Sequence, residues 1–313
     1  MRKGKALRQG DTIGVLAASS PCPPEVVQKA KAELEALGFR VKLSETCWED
    51  LGGFLAGTPQ HRACELEAMF TDPEVDAILC LRGGYGSPQI LPLLDYECIA
   101  KHPKLFIGYS DVTALHTALG QCSNLATLHG PMASIGWITG VDPFSREYLH
   151  RAITSADPLG QIVNPPGEEM MCLVGGEASG PIVGGNLSLI ASLMGTPYEL
   201  DTRGKILFIE DVGEEPYRID RMLTQLSLAG KFADASGILI GTWADCSPDK
   251  YPDGFDVLDV VKAIVTPYQK PTIWNVQAGH GEYNIALPFG VQSYMNASTC
   301  TVIIEESLVN DDE

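Results

Sequence analysis

The sequence predicts an α/β fold made of two domains, with a doubly wound parallel sheet in the first. The chain has 313 residues, 45% of them hydrophobic, which is enough for two cores. Apolar strand-like runs alternate with amphipathic helix-like segments through the first half, a pattern typical of parallel sheets. Residues 155–180, rich in Pro, Gly and polar side chains, then interrupt this pattern. We therefore predict a first domain over 1–154, a linker over 155–180 and a smaller α/β domain over 181–313.

The elements of the first half follow in regular order. The run TIGVLAASSP predicts a strand and a turn, and PEVVQKAKAELEALGF a helix that ends at Gly38. A strand at Phe39 to Leu43 comes next, followed by the helix HRACELEAMFTDPEV and the buried strand DAILCLRGGYG. The segment KLFIGYSDVTALHTALG then supplies a strand, a corner and a helix. The first helix places four apolar side chains on one stripe, namely Val26, Ala30, Leu34 and Leu37.

The second half contains shorter and more strand-rich pieces. The first two pieces are GPIVGGNLSLIASLMGTPYELD and KILFIEDVGEEPYRID, and the second of them begins as a strand. A helix follows, and GILIGTW predicts another strand. Two final strands are expected at 273–276 and 298–304. The predicted helix between KILFIED and GILIGTW carries one apolar face, formed by Ile219, Met222, Leu223 and Leu226.

Charge and cysteine content narrow the class of partner and the compartment. Lys and Arg total 22 against 40 Asp and Glu, so the net charge of −18 disfavours nucleic acid and anionic membranes and favours a small-molecule substrate. Nine scattered cysteines without a C-x-x-C pair are typical of reduced, mostly buried thiols in a cytosolic protein. The apolar stretch Thr12 to Ala18 is too short for a membrane span and too polar in its flanks for a signal peptide. We therefore expect a cytoplasmic protein.

Ser110 stands at the corner where the strand LFIG turns into a helix. A strand, a tight turn and a helix present one side chain at the edge of the sheet where α/β proteins bind ligands. GYSDV is close to the nucleophile motif G-x-S-x-G, but Val112 replaces the second glycine. The alternative is a helix N-cap, because Ser and Asp satisfy free N–H groups at a helix start. The motif alone leaves both interpretations open.

The glycine loop RGGYG, residues 82–86, ends a strand of the same predicted sheet. It lacks the third glycine of G-x-G-x-x-G and continues into Pro88, which disfavours dinucleotide binding. Glycines allow backbone N–H groups to approach an oxyanion closely, so the loop is a candidate oxyanion site. A turn that simply requires positive φ is the alternative. Both this loop and the Ser110 corner are expected at the carboxyl ends of strands.

A serine nucleophile requires a base and a carboxylate that orients the base. Of six histidines, only His129 in TLHGPM and His280 in QAGHGEYN are expected in glycine-framed loops. Glu210 and Asp211 end the apolar strand ILFIED, which makes them candidates for the carboxylate. Glu214 and Glu215 follow in a turn and are expected to be surface charges.

Several long motifs together resemble the serine LD-carboxypeptidase family, which includes muramoyltetrapeptide carboxypeptidases and microcin-immunity peptidases. These motifs run in order from about Gly10 to Thr301 and comprise RGGYG, IGYSDVTALHTAL, LHGPM, the segment from GPIVGGNLSL to RMLTQL, GILIGTW and GHGEYNIALPFG. The resemblance implies a catalytic triad of Ser110, Glu210 and His280. It also implies an oxyanion hole formed by the amide of Asp111 and one from the glycine loop, Gly83 or alternatively Gly84.

The resemblance further implies a fold, an assembly and a reaction. The fold is an amino-terminal flavodoxin-like domain followed by an α/β domain with a barrel-like sheet, assembled as a homodimer with the active site between the domains. The reaction is hydrolysis of the amide bond between the L-centre of a diamino acid and a terminal D-alanine in a muropeptide. No metal or cofactor is required, which agrees with the absence of metal-binding motifs. Arg82 is a candidate to bind the substrate carboxylate.

Two other functions are compatible with the sequence. A microcin-immunity peptidase would cleave peptidyl or aminoacyl nucleotides and would need an aromatic side chain, such as Trp137 or Trp243, to stack on the base. A two-domain solute-binding protein would bind its ligand without turnover and would not need a triad. Such proteins are usually exported, so the missing signal peptide disfavours this function.

Overall fold

A computed structural model describes residues 1–251 and 253–311 and divides the chain into two compact units. The first unit comprises Met1–Pro158, Ala286–Gly290 and the chain from Ser307 onward. The second unit comprises Leu159–Ile285 and Val291–Glu306. Each unit contains one sheet. The chain thus contributes to the first unit again after the second has begun.

Strands and helices alternate through the first 154 residues of the first unit, as the sequence predicts, although a short helix at Tyr96–Lys101 and a strand at Thr127–His129 were not predicted. The helices occupy the connections between successive strands, as required when neighbouring strands run in parallel. In chain order the elements are β1 (Thr12–Leu16), α1 (Pro24–Ala36), β2 (Arg40–Leu43), α2 (Pro59–Thr71), β3 (Ala77–Cys80), α3 (Tyr96–Lys101), β4 (Leu105–Gly108), α4 (Thr113–Cys122), β5 (Thr127–His129) and α5 (Pro143–Thr154).

The sheet of the first unit has the strand order β2-β1-β3-β4-β5, and all these neighbours are parallel. This order is that of flavodoxin-like folds, whose ligands bind beyond the carboxyl ends of the strands where the order reverses between β1 and β3. Every residue of β1, β3 and β4 is buried, because helices cover both faces of such a sheet. The loops that follow these three strands therefore define the expected binding edge.

The prediction of shorter elements in the second unit is wrong for its strands, because the longest has ten residues against five in the first unit. Two of its strands precede residue 177. In chain order the elements are β6 (Gly160–Ile162), β7 (Met171–Val174), β8 (Glu177–Asn186), α6 (Leu187–Ser192), β9 (Ile206–Val212), α7 (Pro216–Leu228), α8 (Lys231–Asp234), β10 (Gly237–Ala244), α9 (Val257–Ile264) and β11 (Thr272–Trp274). The remaining strands are β12 (Leu287–Phe289), β13 (Gln292–Asn296) and β14 (Thr301–Ile304). Of these, β12 belongs to the first unit, where it pairs antiparallel with β5.

The sheet of the second unit has the order β6-β14-β13-β8-β9-β10-β11-β7. Its centre, β8 to β11, is parallel, and the outer strands pair antiparallel. The sheet is open, with β6 and β7 at its edges, so the described residues form no closed barrel. Side chains of α6, α7 and α9 pack with those of β9 and β10 in one hydrophobic cluster that includes Leu187, Leu207, Leu223, Ile240 and Val261.

Residues 155–180, predicted as a linker, contain β6, β7 and the start of β8. Most of the Pro and Gly residues that indicated a linker lie between these strands, namely Pro165, Pro166, Gly167, Gly175 and Gly176, whereas Gly160 and Gly180 lie within β6 and β8. The edge strand β7 has the apolar sequence MCLV, but all four of its residues are exposed or half-buried. The two predicted final strands are observed as β11 and β14, but they pair with other strands and not with each other.

The buried stripe of α1 differs from the predicted one at two positions. Val27 is buried in place of Val26, and Glu33 is buried where Leu37 was expected. The Glu33 carboxylate accepts hydrogen bonds from the Ile138 N–H at 2.8 Å and from the Thr139 hydroxyl at 2.6 Å. These partners compensate for the desolvation of the carboxylate, which a hydropathy pattern cannot anticipate.

All nine cysteines are free thiols, as expected, but the prediction that most are buried is wrong. Cys47, Cys80 and Cys246 are buried. Burial raises the pKa of Cys47 to about 12 and that of Cys246 to about 11, which makes both inert. Three others are exposed because they lie on outer helix faces and on the edge strand β7, namely Cys64, Cys122 and Cys172.

Candidate active site

Ser110 lies at the sharp corner between β4 and α4. Its φ of 65° is in the left-handed region, which is rare for residues other than glycine and clusters at functional sites. The hydroxyl makes no hydrogen bond within the described residues, and α4 begins at Thr113 without a side-chain cap. The structure therefore does not support the N-cap alternative. It places a half-buried, strained serine at a strand-to-helix turn, as in a nucleophile elbow.

Close packing between Gly108 and Val112 explains how the corner forms without the second glycine. A Cβ placed on Gly108 would lie 2.7 Å from Cγ1 of Val112, so only glycine leaves room for this valine. Val112 is itself fully buried. The motif here is thus G-Y-S-D-V, with the tight contact made by the first glycine and the valine.

Asp111 connects the corner to two neighbouring loops. Its buried carboxylate accepts hydrogen bonds from the Ser19 hydroxyl at 2.6 Å and from the Ser87 N–H at 2.8 Å. The Ser87 hydroxyl also donates to the Asp111 carbonyl. Ser19 follows β1, and Ser87 directly follows the glycine loop. The three loops at the carboxyl ends of β1, β3 and β4 therefore share one hydrogen-bond network.

Gly83 is the glycine-loop residue next to the serine. A Cβ on Gly83 would lie 3.0 Å from Cβ and 3.2 Å from Oγ of Ser110, and 3.3 Å from the amide nitrogen of Asp111. Gly84, with φ of 107°, instead packs against Ser20, whose hydroxyl accepts from the Tyr85 N–H at 3.0 Å. Among the two glycines, the one that approaches the serine is thus Gly83.

Arg82 precedes these glycines and is half-buried. Its Nη1 donates to the Pro21 carbonyl at 3.2 Å, a single bond for a group with five N–H donors. A Cβ placed on Gly84 would lie 3.6 Å from Nη2 of Arg82. The guanidinium therefore lies beside the glycine loop.

Glu210 and His280 form a hydrogen-bonded pair within the second unit. Oε2 of Glu210 lies 2.6 Å from Nδ1 of His280, and the glutamate is fully buried. A carboxylate accepts, so Nδ1 carries the proton and Nε2 is left with a lone pair. Burial raises the pKa of Glu210, while the hydrogen bond from His280 opposes this shift by favouring the charged form. The pair has the geometry of a base and its orienting carboxylate.

Two glycines frame His280 for different reasons. Gly279 has φ of 117°, and a Cβ there would lie 2.5 Å from Oε2 of Glu210, in the space that the carboxylate occupies. Gly281 donates its N–H to the Thr242 hydroxyl at 3.0 Å, and a Cβ there would contact the same threonine. The GHG motif thus allows the histidine backbone to pack directly onto β9 and β10.

The other acidic candidates have different contacts. Asp211 accepts from the Asn186 amide at 2.8 Å and from the Ser188 hydroxyl at 2.7 Å, so it fixes the start of α6. Glu214 is half-buried and lies 3.5 Å from the guanidinium of Arg218, which is exposed. Of these carboxylates within the second unit, Glu210 is the one bonded to His280.

His129, expected in a glycine-framed loop, instead ends β5 and is fully buried. Its ring packs against Tyr109 and Phe289, with ring centroids at 5.8 and 5.3 Å. The interpretation of its sequence context was wrong because the glycine follows the strand end instead of opening a loop around the histidine. His129 therefore forms part of the core beneath the Ser110 corner.

His116 in α4 supports the same corner from below. Its Nε2 lies 2.8 Å from the Gly108 carbonyl, which can only accept, so Nε2 carries the proton and Nδ1 accepts from the Thr127 hydroxyl at 2.8 Å. Burial lowers the pKa of His116 to about 4. The ring is thus a neutral link between α4, β4 and β5.

The pKa of His116 predicts a pH-dependent contribution to stability. The folded-state pKa of about 4 lies below the unfolded value of 6.5, so this contribution is complete above pH 6.5 and is lost as the pH falls towards 4. The expected loss is about 3 kcal/mol in the free energy of unfolding. Urea unfolding of wild type and His116→Gln between pH 7.5 and 4 measures it. The stability difference between the two proteins should shrink as the pH falls, and a constant difference would contradict the assignment.

Sequence inspection missed Arg62, which is fully buried in α2. Nη1 donates to the carbonyls of Ala18 and Gly86, and Nη2 donates to Oε1 of Gln89. A signal was available, because Arg62 occupies a position of the buried stripe that continues through Leu66 and Met69. A charged residue on an apolar helix stripe is uncommon and indicates a specific buried partner.

Two kinds of feature were not found in residues 1–251 and 253–311. No group of three or more His, Cys, Asp or Glu side chains is placed to hold a metal ion. No helix in that part of the chain has the length and apolar character needed to cross a bilayer.

Comparison with protein families supports the motif-based resemblance. The LD-carboxypeptidase N-terminal domain matches residues 13–130, and the LD-carboxypeptidase C-terminal domain matches residues 179–295. The probable murein peptide carboxypeptidase of Bacillus subtilis strain 168 is 42% identical over 306 residues, covering 97% of this chain and 94% of its own. These matches confirm the predicted family and its carboxypeptidase class.

Solved structures confirm the predicted α/β fold. The muramoyltetrapeptide carboxypeptidase from Oxalobacter formigenes superposes with a TM-score of 0.81 at 25% identity, covering 96% of this chain and 100% of that one. A microcin C7 self-immunity protein, MccF, superposes with a TM-score of 0.89 at 23% identity, covering 99% and 100%. At that level of identity the second likeness concerns the fold alone.

Proposed function

Because the chain belongs to the LD-carboxypeptidase family, we propose that it removes the terminal D-alanine from murein tetrapeptides by cleaving the preceding L,D amide bond. The names of its relatives in Bacillus subtilis and Oxalobacter formigenes support murein peptides as the substrate class. The observation that carries the chemistry is the 2.6 Å hydrogen bond between His280 and the buried Glu210. It holds the imidazole in the tautomer that can accept a proton at Nε2.

In the proposed reaction Ser110 is the nucleophile and His280 the base. Oγ of Ser110 attacks the amide carbonyl while Nε2 of His280 takes the hydroxyl proton. The tetrahedral intermediate collapses, and His280 passes this proton to the nitrogen of the departing D-alanine. A water molecule, deprotonated by His280 in turn, then hydrolyses the acyl-enzyme and regenerates the serine. Glu210 stabilises the imidazolium throughout.

The amides of Asp111 and Gly83 are the proposed oxyanion hole. Support comes from the approach of Gly83 to Ser110 and to the Asp111 amide nitrogen. Donors fixed before the reaction stabilise the developing charge without reorganisation. Gly84 is the less favoured alternative, since it packs against Ser20. The Ser110 corner and the glycine loop would thus hold both amide donors in place before the oxyanion forms.

Arg82 is the proposed donor for the free carboxylate of the substrate. A carboxypeptidase must recognise that charge, and a protein with a net charge of −18 requires a local cation to do so. Arg82 lies beside the glycine loop and makes one hydrogen bond, to a backbone carbonyl, within the described residues. We further propose a cytoplasmic homodimer without nucleic-acid or membrane partners. The nine free thiols support the compartment, and light scattering tests the dimer.

Three peptides test the proposed specificity. A tetrapeptide ending in D-alanine should lose that residue, whereas its carboxy-terminal amide and the pentapeptide ending in D-Ala-D-Ala should each react at least about tenfold more slowly. The amide lacks the charge that Arg82 would bind, and the extra residue of the pentapeptide moves the L,D bond away from the terminus. Mass spectrometry of each reaction identifies the released amino acid.

The remaining outcomes distinguish the alternatives. Equal release of D-alanine from the pentapeptide would indicate a D,D-peptidase. No release from any peptide, with cleavage of an aminoacyl nucleotide, would indicate a microcin-immunity activity. Trp137, one candidate for stacking on a base, is 3% exposed and donates its Nε1–H to the Pro131 carbonyl, so it offers no free ring face. Binding of peptides without turnover would favour a solute-binding protein.

A further inference from the structure

Arg62 presents a charge whose burial requires an explanation. The side chain is fully buried, yet no carboxylate in the described part of the chain lies within ion-pair distance of its guanidinium. Nε has no hydrogen-bond partner there either. An arginine is rarely buried unless it is paired, because desolvation of the cation costs several kcal/mol. A residue retained at such a cost is expected to perform a task that an apolar side chain cannot.

The hydrogen bonds of the guanidinium join two loops of the binding edge. Nη1 donates to the Ala18 carbonyl at 2.7 Å, after β1, and to the Gly86 carbonyl at 2.9 Å, at the end of the glycine loop. Nη2 donates to Oε1 of Gln89 at 2.7 Å, in the turn that follows. Because β1 and β3 are neighbours, one rigid planar group fixes the spacing of their two loops.

The glycine loop is shaped to receive this group. Gly86 has φ of 119°, and a Cβ there would lie 2.8 Å from Nη1 of Arg62. The other end of the loop is held by the Ser20 N–H, which donates to the Gly83 carbonyl at 3.3 Å. Ser20 belongs to the same β1 loop as Ala18. The loop is therefore fastened at Gly83 and at Gly86 to one neighbouring segment.

We infer that Arg62 is a positioning residue that sets the Gly83 amide against Ser110 for oxyanion stabilisation. This inference rests on the proposed function, in which Ser110 is the nucleophile. The guanidinium touches neither the substrate nor Ser110 and acts through the loop. Its loss should therefore weaken binding of the tetrahedral intermediate and leave binding of the planar substrate unchanged.

The test compares Arg62→Met with Arg40→Met. Arg40 also donates to a backbone carbonyl, that of Gly10, but it lies at the opposite end of the sheet, where β2 begins. Arg62→Met should lower kcat on the tetrapeptide about 100-fold with KM within about twofold. Its affinity for a peptidyl trifluoromethyl ketone, whose adduct with Ser110 carries an oxyanion, should fall by a similar factor. Arg40→Met should change neither quantity.

A readout without chemistry separates positioning from general damage. In the Ser110→Ala background, Arg62→Met should leave the dissociation constant of the tetrapeptide unchanged. Arg62→Lys keeps the charge but can reach fewer acceptors, so it should recover part of the lost kcat. This second variant also decides the matter if Arg62→Met does not fold.

Three results would overturn the inference. The first is a kcat equal to that of the wild type in folded Arg62→Met or in Arg62→Lys. The second is a higher KM of Arg62→Met at constant kcat. The third is a loss of ketone affinity in Arg62→Met that is matched by an equal loss of tetrapeptide affinity. The activity of the wild type distinguishes failure of the proposed function from failure of the inference on Arg62. If the wild type does not cleave the tetrapeptide, the function fails, while ketone binding to the two arginine variants still measures the role of Arg62.

Discussion

Replacing Ser110 with alanine is expected to lower tetrapeptide turnover by a factor of about 10⁴ or more while the protein remains folded. The substitution removes one half-buried hydroxyl that makes no hydrogen bond within the described residues, so little stability depends on it. The attacking atom itself is lost, and water must then act without covalent catalysis. Release of D-alanine under single-turnover and steady-state conditions measures the effect.

Ser123→Ala is a matched control for this experiment. Ser123 lies at the other end of the same helix and donates its hydroxyl to the Tyr96 carbonyl at 3.0 Å. Its loss should cost about 1 kcal/mol of stability and leave kcat within about twofold. Circular dichroism of both variants verifies the fold. Turnover by Ser110→Ala within tenfold of the wild type would assign the nucleophile to another residue.

Glu210→Gln is expected to lower kcat by about 10³-fold or more. Glutamine preserves the size of the side chain but removes the charge that stabilises the imidazolium. Its amide can also present N–H to Nδ1, which would leave the ring in the wrong tautomer. Glu214→Gln is the control, because Glu214 pairs with Arg218 at the surface and should cost less than about twofold. If the control variant lost activity and Glu210→Gln kept it, the carboxylate would be Glu214.

The loss of charge in Glu210→Gln should not destabilise the protein. The folded-state pKa of Glu210 is raised above its unfolded value, chiefly by burial. A raised carboxyl pKa contributes stability below the unfolded pKa, and this contribution is lost as the pH rises through the folded pKa. Glutamine does not titrate, so the variant lacks this pH-dependent contribution. Thermal unfolding at pH 7.5 should show a midpoint no more than a few degrees below the wild type.

The Ser110 region shows how far local sequence can be interpreted. An apolar run, a glycine, a serine and a helix-forming segment predict a strand-to-helix corner, because these preferences act between residues close in the chain. The same residues do not distinguish a capping serine from a strained nucleophile. The backbone φ of 65° and the packing of Val112 against Gly108 show a strained corner without a side-chain cap, and both depend on the assembled sheet.

Most elements of the first unit, β1 to β4 with α1, α2 and α4, were predictable for a related reason, whereas the short strand β5 was not. Fully buried parallel strands appear as continuous apolar runs, and amphipathic helices appear with a period near 3.6, so hydropathy alone identifies both. The edge strand β6, GQI, carries neither signal, and the apolar run MCLV of β7 lies within a segment rich in Pro, Gly and polar residues. They become strands because partners from distant parts of the sequence, β14 and β11, offer hydrogen bonds to them.

By itself, then, the sequence determined the family, the α/β class and the candidate residues Ser110, Glu210 and His280, because these depend on ordered motifs and local periodicity. Only the tertiary structure decided the contacts between residues far apart in the chain. It places the carboxylate of Glu210, and not that of Asp211, 2.6 Å from His280, across 70 residues of sequence. It also placed the buried charge of Arg62 on the carbonyls of Ala18 and Gly86. The physical reason is that the energy of a buried polar group is set by its partners in space, which hydropathy along the chain does not encode.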